Sequence, residues 1–288
     1  MFQWVGATVL PSTISRKRDT EKLAMSNAAN EQNARAWDAL AKRQAALAKP
    51  ASDEEFANPL KTVDPLGWLG PSIANTRVLC LAAGGGRQSA LYASAGAEVT
   101  VVDISSEMLA LDRQVAAQRN LRVRAIQASM DELSMLVDRE FDIVIHPVST
   151  CYVANVQAVF AEVARVTRPG GLYISQHKSP SSLQTALRPS DGSYKILEPY
   201  YREGPLNAEE PCRIREAGTL EFLHRWEELL GGICRAGFVM EDLVEPMHAD
   251  GAADVGTFGH RSRYVAPYVR VKSRRISAGN PPLVFATD

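Results

Sequence analysis

Residues 77–103, RVLCLAAGGGRQSALYASAGAEVTVVD, have the pattern of a buried strand, a glycine turn, a short helix and a second strand that ends in an acid. A glycine turn between a strand and a helix lets a ligand approach the backbone, because no Cβ atom stands in the way. An acidic residue at the end of the next strand can accept hydrogen bonds from both hydroxyls of a ribose. The segment therefore predicts a site for a cofactor that contains a nucleoside.

The glycine turn alone leaves the class of cofactor open. A dinucleotide site has the pattern G-x-G-x-x-G, with the pyrophosphate at the helix N-terminus. Here the register gives Gly84 and Gly86, followed by Ser89 where the third glycine is expected. The spacing to Asp103 suits a dinucleotide and other nucleoside cofactors equally. An ordinary strand-to-helix turn of an α/β protein is a third interpretation of the same residues.

Four later segments resemble class I S-adenosylmethionine-dependent methyltransferases. Residues 103–109, DISSEML, resemble the acidic loop of this family, and residues 128–133, ASMDEL, are similar to its adenine-holding loop. Residues 141–145, FDIVI, resemble the fourth strand, and residues 166–175, VTRPGGLYIS, the turn into the fifth. The segments follow one another in the family's order. The small-molecule methyltransferases of ubiquinone and menaquinone biosynthesis are the most similar type.

This resemblance implies that S-adenosylmethionine is the cofactor and that its methyl group passes to a small organic acceptor by in-line displacement. Orientation supplies much of the rate of such a reaction, and a general base is needed only when the acceptor must lose a proton. His146, after the fourth strand, and His177, at the end of the fifth, are the catalytic candidates. The expected cofactor-binding residues are Ala82, Ala83, Gly84, Gly86, Asp103, Ile104, Met108, Ser129, Met130 and His146.

The first motif departs from the family at two positions. Relatives usually begin it with an acid and a leading glycine, where this chain has Cys80 and Ala82. Ser129 also stands where many relatives have the aspartate that binds the adenine amino group. Two alternatives therefore stay open: an NAD(P)-dependent oxidoreductase on a Rossmann fold, and a non-catalytic S-adenosylmethionine-binding protein.

Short apolar strands alternate with helical patterns through most of the chain, which predicts an α/β fold with a parallel sheet covered on both faces. The resemblance implies a Rossmann-like, doubly wound, seven-stranded and mostly parallel sheet with an antiparallel last strand. Ligands of such sheets bind at the carboxyl ends of the strands. Gly84, Asp103, Ser129 and His146 all lie at predicted carboxyl ends.

Outside the motifs, the chain divides into segments of different composition. Residues 1–32 are predicted to be a disordered or non-native extension, and residues 33–288 the methyltransferase domain. Within it, apolar spacing predicts a helix over residues 33–49. The resemblance implies that residues 33–70 form a helical lid over the cofactor, and a helix packed on the sheet edge is the alternative. Residues 178–218 are expected to form an insertion on the substrate side. Thr219 is expected to cap the helix that follows.

The overall composition excludes several classes of partner. The formal net charge of the 288 residues is −1, so neither nucleic acid nor a membrane surface is an expected partner. Cysteine and histidine spacings predict no metal site, and no apolar run approaches the roughly 20 residues of a membrane span. Arg270, Lys272, Arg274 and Arg275 are expected to lie on a solvated strand edge and tail rather than to form a phosphate-binding patch, which is the alternative. We expect a cytoplasmic enzyme with a small-molecule acceptor. The sequence does not indicate the oligomeric state.

Overall fold

The computed structural model describes residues 13–45, 48–208 and 211–277. Its seven strands are β1 (Arg77–Leu81), β2 (Glu98–Asp103), β3 (Val123–Gln127), β4 (Phe141–His146), β5 (Thr167–Lys178), β6 (Phe238–Val244) and β7 (Tyr268–Arg275). They form one sheet in the order β3-β2-β1-β4-β5-β7-β6. Strands β1 to β5 pair in parallel, and β7 runs antiparallel to both β5 and β6. The predicted seven-stranded, mostly parallel sheet with an antiparallel last strand is confirmed.

Helices cover both faces of the sheet. They are α1 (Thr13–Lys42), α2 (Asp53–Ala57), α3 (Pro59–Val63), α4 (Gln88–Ser94), α5 (Ser106–Gln118), α6 (Val156–Val166), α7 (Pro180–Gln184), α8 (Trp226–Arg235) and α9 (Phe258–Arg261). Leu79 and Leu81 of β1 pack with Phe160 on one face, while Val78 and Cys80 pack with Tyr92 on the other. This alternation places the Cys80 thiol in an apolar layer, and burial raises its pKa well above the ordinary value. Over the described ranges, no helix combines the length and apolar character that a membrane span requires.

Helix α1 differs from its predicted bounds at both ends. It begins at Thr13 rather than at residue 33, and it ends at Lys42 rather than at residue 49. Among residues 25–32, where the side chains of α1 are described ahead of the predicted start, the buried ones are Ser26 and Ala29, which are small, so apolar periodicity does not reveal this part of the helix. Gln44 has a φ of 51°, a left-handed conformation that turns the chain out of the helix well before Pro50.

Two further expectations about local structure were wrong. Thr219 does not cap α8, because residues 219–225 lie outside the helix, which begins at Trp226. The backbone of this segment instead bonds to the body of the domain, where Phe222 N donates to the Cys151 carbonyl at 2.7 Å. The basic residues at 270–275 do not lie on a strand edge, because β7 is flanked by β5 and β6.

Candidate functional site

A cavity of about 720 Å³ opens where the carboxyl ends of β1 to β4 meet, next to the point at which the strand order reverses. Such a reversal separates the loops that follow neighbouring strands and leaves a crevice for a ligand. We call the part of the cavity next to the sequence motifs the inner half. It is lined by Ala82, Ala83, Gly84, Asp103, Ile104, Met108, Ser129 and Met130, all of which the sequence analysis singled out.

The glycine turn and Asp103 form one hydrogen-bonded unit. Gly84 N donates to Asp103 Oδ2 at 2.9 Å, and Ser105 N donates to Oδ1 at 2.9 Å. A Cβ atom on Gly84 would lie 2.8 Å from Met108 Cβ, so only glycine lets this loop sit so close to the second motif. Burial raises the pKa of Asp103. Each carboxylate oxygen keeps lone-pair capacity beyond its backbone bond, as recognition of two ribose hydroxyls requires.

Asp112 supports the same loop from below, a role that the sequence analysis missed. This buried acid on α5 accepts hydrogen bonds from Gly85 N at 2.9 Å and Gly86 N at 3.1 Å, and from the Ser89 hydroxyl. Burial raises its pKa to about 6. It steadies the turn although the first motif lacks its usual acid, and it gives Ser89 a function in place of the third glycine. An acid within the buried stripe of α5 is the signal that was available in the sequence.

Ala82 stands where relatives have the leading glycine of the motif, and its backbone has the conformation that favours glycine. Its φ is 48°, which costs a residue with a Cβ atom roughly 1–2 kcal/mol. The turn holds it there, since Ala82 N donates to the Val102 carbonyl at 2.7 Å. The chain therefore keeps the family's loop geometry without the residue that adopts it most easily.

Helix α1 lines part of the main cavity through Asn30, Asn33 and Trp37. Asn33 is buried and holds two segments at once, donating to the Tyr152 carbonyl at 2.9 Å and accepting from Leu220 N at 2.7 Å. One turn further on, Trp37 lines the cavity and meets the Tyr152 ring edge-on, with 5.6 Å between ring centroids. Asp38 accepts a hydrogen bond of 2.6 Å from Ser105 Oγ, beside the acidic loop.

Gly86, His146 and His177 do not border this cavity. Gly86 lies beneath the turn, with its N–H directed to Asp112. His177 has both ring nitrogens in hydrogen bonds, to Thr150 Oγ1 at 2.9 Å and Ser175 Oγ at 2.8 Å, and burial lowers its pKa to about 3. A catalytic role for the histidines stays a prediction, and the geometry does not favour it.

His146 faces a smaller side cavity of about 220 Å³. Its Nδ1 bonds to the Tyr173 hydroxyl at 2.8 Å, and burial lowers its pKa to about 3. The buried Nε2 atom has no hydrogen-bond partner among the described residues, and neither has Oε1 of Gln88, which borders the same side cavity. The neutral imidazole is therefore a component of the fold beside the main cavity rather than a lining residue of it.

We call the part of the main cavity that is lined by Tyr152, Gln176, Arg213, Glu216, His248, Tyr268 and Arg270 the outer half. These residues come from five separated segments, and none of them is among the site residues expected from the sequence. Long polar and aromatic side chains replace the glycines and small residues of the inner half. The outer half can therefore form ion pairs and hydrogen bonds with a second ligand.

Glu216 belongs to a buried charge cluster behind the outer half. Its Oε2 atom accepts from Lys178 Nζ at 2.7 Å and from the Tyr152 hydroxyl at 2.6 Å. Lys178 is fully buried and also bonds to Glu221 at 3.0 Å, and Glu221 in turn pairs with Arg215 at 3.2 Å. The two cations and two carboxylates balance. Oε1 of Glu216 makes no hydrogen bond with any described residue, so it is available to a ligand.

The sequence is similar to known methyltransferases. A methyltransferase domain model matches residues 79–175. The chain is 34% identical over 235 residues to the uncharacterized methyltransferase YbaJ of Bacillus subtilis (strain 168), covering 76% of this chain and 91% of that protein. It is 32% identical over 141 residues to the ubiquinone biosynthesis O-methyltransferase of Dechloromonas aromatica (strain RCB), covering 47% of this chain and 60% of that protein.

The fold also matches solved structures. An S-adenosylmethionine-dependent methyltransferase from Mesorhizobium loti aligns with a TM-score of 0.60 and 22% identity, covering 76% of this chain and all of that one. These similarities favour the methyltransferase over the oxidoreductase alternative. With a relative that matches most of its length, the chain belongs to the class I S-adenosylmethionine-dependent methyltransferases, and S-adenosylmethionine is its cofactor.

Proposed function

We propose that the chain methylates a small organic acceptor held in the outer half, with the cofactor in the inner half. The observation that supports this most is the continuity of one cavity, lined on one side by the family's motif residues and on the other by side chains that no motif explains. A second ligand next to the first is the arrangement that methyl transfer requires. The insertion at residues 178–218 contributes Arg213 and Glu216 to the outer half, in support of its proposed role on the substrate side.

The residues of the inner half fit the chemical parts of the cofactor. Asp103 would hold the ribose hydroxyls, and Ile104, Met108 and Met130 would contact the adenine, with Ser129 beside it. Arg87 and Glu55, which pair with each other at the other end of the glycine turn, would lie near the methionine part. S-adenosylmethionine supplies an electrophilic methyl group on a sulfonium, and α1 over the cavity would exclude water from it.

Glu216 is the proton acceptor in this proposal. Bound S-adenosylmethionine would supply its methyl group to an acceptor oxygen or nitrogen and would leave as S-adenosylhomocysteine, with the electron pair of the broken bond on sulfur. The proton of the acceptor passes to Oε1 of Glu216, while Lys178 and Tyr152 hold Oε2 in place. Neither predicted catalytic histidine borders the cavity in which this proton is released.

Calorimetric titration with S-adenosylmethionine, S-adenosylhomocysteine and NAD⁺ tests the cofactor half of the proposal. We expect micromolar affinity for the first two ligands and none for NAD⁺. A screen of small phenols, amines and carboxylic acids, read by release of S-adenosylhomocysteine, then tests transfer. Tight cofactor binding with no turnover on any acceptor would favour the non-catalytic alternative.

The role of Glu216 is tested on an acceptor found in that screen. Glu216→Gln should lower the transfer rate by about 10²–10⁴-fold, the usual contribution of a general base, and leave the Kd for S-adenosylhomocysteine unchanged. An unchanged rate would exclude Glu216 as the base.

We further propose that the enzyme acts in the cytoplasm. Its four cysteines, Cys80, Cys151, Cys212 and Cys234, are free thiols in the structure. Free thiols fit a reducing compartment. Localisation of a tagged chain by fractionation of the source cells would test this.

A further inference from the structure

We propose that the outer half recognises an anionic acceptor, one that carries a carboxylate or a phosphate group bound by Arg213 and Arg270. The inference rests on the proposed function, since it concerns the acceptor side of the same cavity. It adds a chemical class to an acceptor that the family resemblance leaves undefined.

Arg270 differs from the other cations on its strand. Lys272 and Arg274, which follow it at alternate positions of β7, both pair with Glu241. Arg270 lies opposite Gln176 in β5 and donates from Nε to Gln176 Oε1 at 2.8 Å. It forms no ion pair with a described carboxylate, and it is only partly exposed. Arg270 thus borders the main cavity and also the smaller side cavity, with its Nε atom held by Gln176 and its charge in no described ion pair.

Arg213 reaches the same wall from the insertion. Its guanidinium stacks on the Phe258 ring, 4.3 Å from the centroid, and it has no carboxylate partner in the described part of the chain. Stacking on an aromatic face restrains the side chain and leaves the N–H edge free to bind a ligand. Cation and ring together form a positioned donor at the entrance to the outer half.

The guanidinium groups of Arg213 and Arg270 both lie close enough to His248 to affect its pKa. Burial lowers the pKa of His248, and the positive charges of Arg213 and Arg270 lower it further. No described carboxylate offsets them there: Glu216 is the acidic side chain that lines the outer half, and Lys178 already pairs with it. The wall therefore carries net positive charge beside the His248 ring.

The geometry suits an anion attached to a flat body. His248 and Tyr268 meet edge to face, with ring centroids 5.5 Å apart, and both line the outer half between the arginines. Guanidinium groups bind carboxylate and phosphate oxygens through paired, charge-assisted hydrogen bonds. An acceptor held at its anionic end here would extend along the aromatic wall toward Tyr152 and Glu216.

One other anion competes for these arginines, namely the carboxylate of the cofactor's own methionine part. The two assignments differ in what each arginine substitution does. If Arg270 holds the cofactor, its substitution weakens the binding of S-adenosylhomocysteine and leaves the binding of 5′-methylthioadenosine, which has no amino-acid part, unchanged. If Arg270 holds the acceptor, its substitution changes the affinity for neither of these two ligands.

The test titrates the protein saturated with S-adenosylhomocysteine with 4-hydroxybenzoate, phenyl phosphate and the neutral 4-hydroxybenzamide. We expect at least one of the two anions to bind, and the amide to bind at least about 10-fold more weakly. Arg213→Met and Arg270→Met should each lower the affinity for the anion by about 10-fold to 100-fold, the range for the loss of one charged hydrogen-bonding group. Arg274→Met, on the same strand but paired with Glu241, is the matched control and should have no effect.

Three results would overturn the inference: equal binding of amide and anions, no binding of either anion, or a loss of S-adenosylhomocysteine affinity in Arg270→Met with 5′-methylthioadenosine unaffected. Failure of the wild-type protein to bind S-adenosylhomocysteine at all would instead overturn the proposed function. The first titration therefore separates the two.

Discussion

The two halves of the cavity are built in different ways. The inner half comes from three loops that follow β1, β2 and β3 within residues 82–130, and it presents backbone N–H groups and short side chains such as those of Ala83 and Gly84. The outer half gathers long side chains, among them Glu216 and Arg270, from segments far apart in the chain. Recognition of a constant cofactor rests on backbone geometry that the sheet fixes. Recognition of a variable acceptor rests on side chains that can be exchanged without changing the sheet.

The largest expected effect concerns the charge cluster behind the outer half. Lys178→Met removes a fully buried cation and leaves Glu216 and Glu221 without their partner. The free energy of unfolding should fall by about 3–5 kcal/mol, measured by urea denaturation. Lys195→Met, which breaks the exposed pair with Asp191, is the control and should cost less than about 1 kcal/mol. Similar losses in both variants would show that burial does not distinguish the outer half's charges.

The next effect belongs to the inner half. Asp103→Ala should weaken S-adenosylhomocysteine binding by about 1.5–3 kcal/mol, the scale of charge-assisted hydrogen bonds, when measured by calorimetry. The binding free energy of 5′-methylthioadenosine should fall by as much, because this ligand has the same ribose. Asp142→Ala is the control: this acid lies at the opposite end of the sheet, where it pairs with Arg77 and Arg168. Unchanged affinity in Asp103→Ala would mean that the ribose site lies elsewhere.

A third prediction asks whether His177 belongs to the fold rather than to the outer half. Burial lowers its pKa to about 3, below the value near 6.5 of an unfolded chain. The unfolded state therefore takes up a proton first as the pH falls. The contribution of His177 is complete above pH 6.5 and is lost progressively toward pH 3. Between pH 7 and pH 5 this loss amounts to about 2 kcal/mol.

His177→Gln should consequently lose about 2 kcal/mol less stability than the wild type over that interval, measured by urea unfolding at both pH values. His146→Gln, at the other histidine whose pKa burial lowers to about 3, should behave alike. Other groups titrate equally in the wild type and the variant, so they cancel in the comparison. Parallel pH dependence in the wild type and the variants would contradict the assignment of these histidines to the buried core.

The smallest effect tests the turn of the inner half. Ala82→Gly should raise the free energy of unfolding by about 0.5–1 kcal/mol, because glycine adopts the positive φ without a Cβ clash. Ala83 has no positive φ, so Ala83→Gly should lower stability by a similar amount. Destabilisation by both substitutions would mean that the turn holds Ala82 without strain.

The same contrast explains how much could be predicted from the sequence. The sheet and the inner half follow from local motifs, since each loop begins directly after a strand whose apolar run is visible. His146 and His177 lie near the carboxyl end of the sheet, as predicted. What a strand residue contacts depends on the face of the sheet to which it points, and a shift of one position along the strand reverses that face. Arg213 and Glu216 lie in a segment with no periodicity, where only the tertiary fold reveals their neighbours. Arg270 was assigned to a strand edge because the sequence of a strand does not show which strands lie next to it in the sheet.

Asn33 has a consequence for the order of events during turnover. Its one side chain joins α1 to Tyr152 and to Leu220, and so to both ligand sites. If spent S-adenosylhomocysteine leaves by displacement of α1, the same movement withdraws support from the wall that holds the methylated product. Product and by-product would then depart in a single opening, and a fresh cofactor, by restoring the helix, would rebuild the acceptor site before the next acceptor arrives. If α1 moves in this way, we expect an ordered kinetic mechanism in which the cofactor binds first.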